Sequence, residues 1–263
     1  MANSIYIVDA FTHQPFKGNP AAVCLLDQPV DTAWMQSVAS EINLSDTAFL
    51  LPMGDGEWNL RWFTPRTEVD LCGHATLAAA HILWSELKQT QEQLIFHSPS
   101  GLLKASREPR GIMLDFPIDH LIEQSIEQPL IDGLGSRPEK LFRGREDLLA
   151  VYHSAHQVRT LSPDQIALSK IPCRGVITTA PGDEEGVDFI SRFFAPALGI
   201  AEDPVTGSAH CTLAPFWSKQ LCKQTLKAYQ ASQRGGEIDI RIDDQRVMLI
   251  GQTVTIIEGK LHA

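Results

Sequence analysis

A motif that recurs once, half a chain later, constrains this sequence more than any other feature. Glu68-x4-Gly73-His74-Ala75 lines up with Glu202-x4-Gly207-Ser208-Ala209, with 134 residues between the copies. Each copy follows Phe-x-Pro (Phe63-Thr64-Pro65 and Phe194-Ala195-Pro196) and leads into an Ala/Leu/Thr-rich segment. The predicted elements repeat in the same order. Strands at 5–11 and 21–26, a helix through Trp34, Val38 and Ile42 capped by Asp31, and strands at 47–51 and 58–63 precede the first motif. A helix over 73–87 and strands near 93–97, 100–106 and 111–116 follow it. In the second half, Ser162-Pro163-Asp164-Gln165 predicts a helix start with Ser162 as cap. Strands at 175–180 and 187–194 and a helix over 208–221 follow, and 236–258 is strand-like with a turn at Asp243-Asp244. A duplicated domain is the expectation, with boundaries at 1–116 and 117–263 and a terminal strand free to cross back to the first domain.

Duplication has a consequence for chemistry. Two similar domains bring equivalent loops to one interdomain cleft, a usual place for small-molecule sites. Both motifs open helices, where free backbone N–H groups and the positive end of the dipole attract anions. Glycine at the first position, Gly73 or Gly207, lets a substrate approach the backbone. The copies then differ: His74 in one is Ser208 in the other, the asymmetry of a site with two jobs. Asp203 sits in a loop stiffened by Pro204. Glu41, read alone, is a solvated carboxylate at the end of its helix.

Composition removes several classes. The 263 residues carry 22 Lys and Arg against 32 Asp and Glu, a formal net charge of −10. With no basic cluster, nucleic acid is a poor partner, since its binding is driven by phosphate neutralisation. No apolar run approaches the ~20 residues of a membrane span, and the opening stretch to Asp9 does not read as a signal peptide. Five cysteines, with no CxxC, point to a reduced, cytoplasmic protein without a zinc site. His74 and His81 rise about 10.5 Å apart along one helix, too far for one ion. No phosphate-binding glycine motif is present, the Gly133-Leu134-Gly135 pair being too little to make one. Cys72 faces Thr206 in the repeat rather than a second thiol, so a two-thiol epimerase pair is lacking, and Cys72 reads as a small packing residue behind the Gly73 turn.

Phe11, Gly18-Asn19-Pro20-Ala21-Ala22-Val23, Ser45-Asp46-Thr47-Ala48-Phe49, Phe63-Thr64-Pro65, the run from Glu68 to Ala78, and the run from Glu202 to His210 together resemble the PhzF-like family of phenazine biosynthesis. The resemblance implies a diaminopimelate-epimerase-like α/β fold: two similar domains, each a curved mixed sheet wrapped around a central helix. It also implies a homodimer, no cofactor, and isomerisation by proton transfer on a small carboxylate-bearing substrate. Carried over by motif, Glu41 becomes the acid/base, with His74, Asp203 and Ser208 handling protons or positioning substrate. The family motif reads Ser-Glu-Thr where this chain has Ser45-Asp46-Thr47, which makes Asp46 the rival carboxylate. The competing readings are an amino-acid racemase or epimerase using Cys72, and a binding protein that kept the cleft without turnover.

Overall fold

The computed structural model describes residues 3–54 and 56–262; Met1 and Ala2, at the head of the stretch read for a leader, lie outside them. The chain divides into two compact units, Met1–Asp115 with Ile250–Ala263, and Phe116–Leu249.

The first unit runs β1 (Asn3–Ala10), β2 (Asn19–Leu25), α1 (Thr32–Ile42), β3 (Asp46–Gly54), β4 (Glu57–Phe63), β5 (Glu68–Val69), α2 (Gly73–Ser85), β6 (Gln93–Ser98), β7 (Gly101–Glu108) and β8 (Gly111–Pro117). Asp31 caps α1, its carboxylate accepting from Trp34 N–H at 2.7 Å. The turn into β2 needs Gly18: its φ is +65°, and a Cβ there would fall 2.1 Å from the Ala10 carbonyl oxygen. The last strand of the chain, β18 (Thr253–Leu261), pairs antiparallel with β1.

The second unit runs β9 (Ile122–Gln124), α3 (Gln128–Leu134), β10 (Lys140–Arg143), β11 (Leu148–Val151), α4 (Ala155–Thr160), α5 (Gln165–Leu168), β12 (Val176–Pro181), β13 (Phe189–Ala195), β14 (Ile200–Asp203), α6 (Gly207–Leu221), β15 (Thr225–Gln230), β16 (Gly236–Asp243) and β17 (Arg246–Gly251). Gly135 ends α3 in a left-handed conformation, and Gly133 leaves room for Leu168, whose Cδ2 would lie 2.7 Å from a Cβ there. Ser162 does not cap a helix as expected. Asp164 does, accepting from Ile166 and Ala167 N–H at 2.9 and 3.0 Å, and α5 is a single turn. The true capping box lies eight residues earlier, where Ser154 and Gln157 satisfy each other's backbone at the head of α4.

The duplication holds strand by strand. β2 runs parallel to β3 and β11 to β12; β3 is antiparallel to β4 and β12 to β13; β4 is parallel to β6 and β13 to β15. In each unit the sheet packs onto one helix. α2 buries residues all round its circumference, including His74, Leu77, Ala78, Ala79, Ala80, Ile82 and Leu83, and touches β1, β2 and β3. Small residues let the strands close on it, and each fully buried Leu or Ile contributes roughly 1.5–3 kcal/mol. α6 plays this part against β15 and β16.

The repeated glutamate has a structural reason. Arg61 on β4 grips Glu68 with Nε and Nη2, both at 2.7 Å, and lies over the Phe63 ring. Arg192 on β13 grips Glu202 at 2.7 and 2.9 Å and lies over Phe194. Each clamp fastens the short strand before a central helix to its neighbour, and so sets where the helix begins.

Candidate functional site

In the first unit three side chains meet at the head of α2. Asp46 opens β3; Cys72 is the N-cap of α2; His74 is its second residue. All three are buried, and one ligand-type atom of each lies within 4.8 Å of the others. Cys72 Sγ is 3.4 Å from His74 Nδ1, and Asp46 Oδ2 is 3.7 Å from His74 Nε2. Burial pushes the imidazole down to about 3, so the ring is neutral at working pH and its approach to Asp46 is not an ion pair. The glycine-turn motif contributes as well: Ser45 Oγ donates to Asn19 Oδ1 at 3.3 Å, and Asn19 is buried.

The sequence carries Glu41 over as first-choice carboxylate with Asp46 as its rival. Glu41 is exposed on the last turn of α1, and Asp46 is buried with Oδ2 3.7 Å from His74 Nε2. The burial of Asn19 has no signal in periodicity, nor does the approach of Cys72 to His74. The cysteine is buried as expected, and it is also within reach of the site histidine.

The second unit holds different chemistry at the matching place. Thr47 pairs with Phe63 and Val176 with Phe194, so the counterpart of Asp46 is Gly175, a position with no side chain. The residue before it, Arg174, donates from Nη2 to Ser208 Oγ at 3.0 Å and holds Asp147 in a two-pronged ion pair. Because Ser208 Oγ accepts there, its own proton is left to donate elsewhere. Thr206, the N-cap of α6 and the counterpart of Cys72, donates to Asp203 Oδ2 at 2.6 Å. Gln230 ties this turn down: Thr206 N–H donates to Gln230 Oε1 at 2.8 Å, and Gln230 Nε2 donates to the Asp203 carbonyl at 2.8 Å.

Neither N-cap side chain, Cys72 nor Thr206, makes a capping bond to its helix, so the first turns at Gly73 and Gly207 are not capped in the ordinary way. His81 is a satisfied helix residue, its Nε2 2.9 Å from Thr255 Oγ1. It borders a cavity of about 400 Å³ with Trp84, Arg107 and Glu108, at the other end of α2 from His74. No helix among the described residues is long and apolar enough to cross a membrane.

The sequence model of the PhzC-PhzF family, described as phenazine biosynthesis-like proteins, matches residues 8–259. An uncharacterized isomerase of Halalkalibacterium halodurans is 51% identical, with 99% of each chain covered. The crystal structure of a PhzF-family phenazine biosynthesis protein from Enterococcus faecalis superposes with a TM-score of 0.96 at 42% identity over 100% of both chains. A probable proline racemase of Agrobacterium radiobacter shares the fold alone, with a TM-score of 0.67 at 12% identity, covering 98% of this chain and 92% of that one.

Proposed function

The chain belongs to the PhzC-PhzF family of phenazine biosynthesis-like proteins, its relatives support an isomerase, and from that premise we propose a cofactor-independent isomerase that moves a proton on a small carboxylate-bearing substrate. The observation that carries this reading is the buried approach of Asp46 to the neutral ring of His74. Asp46 is the acid/base, in place of Glu41. Its carboxylate takes a proton from an acidic C–H, the electron pair stays in the substrate as an enolate-like system, and the carboxyl group, whose proton exchanges with solvent, returns a proton at a second carbon. Protons and electrons balance within the substrate, so the step calls for no redox partner.

His74 cannot supply a charge at neutral pH, so its part is to donate or accept one hydrogen bond and hold Asp46. Asp203 and Ser208 are assigned to holding the substrate, with the backbone N–H groups at Gly73 and Gly207 suited to a carboxylate. The division of labour follows the asymmetry of the copies: a carboxylate and an imidazole in one, an arginine-backed hydroxyl in the other. A thiol-based racemase is less well supported, because the counterpart of Cys72 is a threonine hydroxyl already donating to Asp203.

The test is proton exchange in D2O with a panel of small unsaturated and amino carboxylates, followed by NMR. Wild-type protein and Glu41→Gln are expected to exchange a substrate C–H. Asp46→Asn is expected to lose roughly 100-fold or more. Activity that survives Asp46→Asn and vanishes in Glu41→Gln would return the role to Glu41. A wild-type protein that binds a panel member without exchange would be a binding protein.

A further inference from the structure

The His74 ring faces a different group with each nitrogen: Cys72 Sγ lies 3.4 Å from Nδ1, within hydrogen-bond reach for sulfur, and Asp46 Oδ2 lies 3.7 Å from Nε2, just beyond it. A neutral imidazole has one N–H donor and one bare acceptor, so the two contacts are coupled. If Nδ1 carried the proton it would donate to sulfur, a weak acceptor, and the bare Nε2 lone pair would face a carboxylate oxygen. If Nδ1 accepts from the thiol, Nε2 carries the proton and presents it to Asp46. The second arrangement puts a donor against the strongest acceptor present. It also suits His74 Nε2, which is buried and makes no hydrogen bond, the Asp46 carboxylate oxygen standing 3.7 Å away.

We propose that Cys72 is a positioning residue whose thiol donates to His74 Nδ1 and thereby holds the ring as the Nε2–H tautomer aimed at Asp46. The inference rests on the reading of Asp46 and His74 as the proton-transfer pair, and it gives the cysteine a role other than nucleophile or filler. Holding a ring by the nitrogen that does not face the reacting group is how metal-free acid/base pairs keep one tautomer. The three residues would also be acceptable donors for a transition metal. A single ion takes only one ring nitrogen, and one ligand-type atom from each residue lies within 4.8 Å of the others, so a Zn2+ titration decides between a metal centre and the hydrogen-bonded arrangement.

Histidine 15N NMR on the unliganded protein reads the tautomer directly, with the His74 signals assigned by their loss in His74→Asn. Wild-type is expected to show a protonated Nε2 and a bare Nδ1. Cys72→Ser, which keeps a donor, is expected to preserve that pattern. Cys72→Ala is expected to shift it toward Nδ1–H or an exchange-averaged mixture, and to lower kcat about 10-fold or more with KM little changed. A wild-type ring protonated at Nδ1, or a tautomer indifferent to Cys72→Ala, overturns the proposal. So does a one-equivalent shift of the His74 signals on adding Zn2+ to EDTA-treated protein, which would make the cluster a metal centre. The NMR outcome does not depend on turnover, so it fails separately from the assignment of Asp46, which the exchange assay decides.

Discussion

At the scale of single residues the site turns on which polar groups are already committed. Ser208 spends its acceptor on Arg174 and keeps its proton. A hydrogen bond of that kind to a bound carboxylate stabilises by about 1–2 kcal/mol, so Ser208→Ala is expected to raise KM about 5- to 30-fold with kcat nearly unchanged. Steady-state exchange kinetics check this; an unchanged KM would remove Ser208 from the binding set. The difference in burial between Glu41 and Asp46 shows where the sequence runs out at this scale. Both lie within one stretch of six residues, and the motif identifies the stretch. Which carboxylate is buried depends on Asn43 turning left-handed after α1, which ends the helix before β3 begins at Asp46. That single backbone change leaves Glu41 in water and carries Asp46 inside, and no periodicity announces it.

At the scale of elements, the strands around the first motif and the long helices were legible, whereas β9–β11, β14, β15 and the short helices were not. α1, α2 and α6 have enough turns for an apolar pattern, whereas α4 has six residues and α5 four, so only their caps mark them. The cap chosen from sequence was Ser162; the nearer carboxylate of Asp164 takes the free N–H groups instead. The paired clamps could be read only as repeated glutamates, since their arginines sit on another strand. They also differ in strength. Arg192 is more buried than Arg61 and donates to the carbonyls of Val158 and Leu161 at 3.1 and 2.8 Å, tying down the end of α4 as well as Glu202. Arg192→Ala is therefore expected to cost about 3 kcal/mol or more, and Arg61→Ala about 1–2 kcal/mol. Urea denaturation measures both, and equal losses would show that the backbone contacts of Arg192 contribute nothing.

At the scale of the whole molecule, the duplication was legible because motif and element order repeat together, while the histidines that make the fold acid-sensitive were not. Each unit buries one imidazole in its central helix: His74 in α2 and His210 in α6. Burial pushes His74 down to about 3; burial also pushes His210 down, to about 4, against the opposing effect of its hydrogen bond to the Thr206 carbonyl. Unfolded, both rings take up protons near pH 6.5. Between about pH 6.5 and 4 the unfolded chain therefore binds protons at these two rings that the folded chain refuses; His81, also lowered by burial, adds to the difference, and stability must fall as pH falls. Each histidine contributes a slope of about 1.4 kcal/mol per pH unit across most of that window. Urea unfolding at pH 7, 6 and 5 is expected to show the loss, with little histidine-linked change above pH 7. His210→Gln keeps a donor for Thr206 and has nothing to titrate, so its stability against pH should be flatter than wild-type by one histidine's slope. Carboxylates contribute equally to both proteins and cancel in the difference. Parallel curves for wild-type and variant would mean that His210 takes up its proton without unfolding, and the burial argument for this histidine would fail.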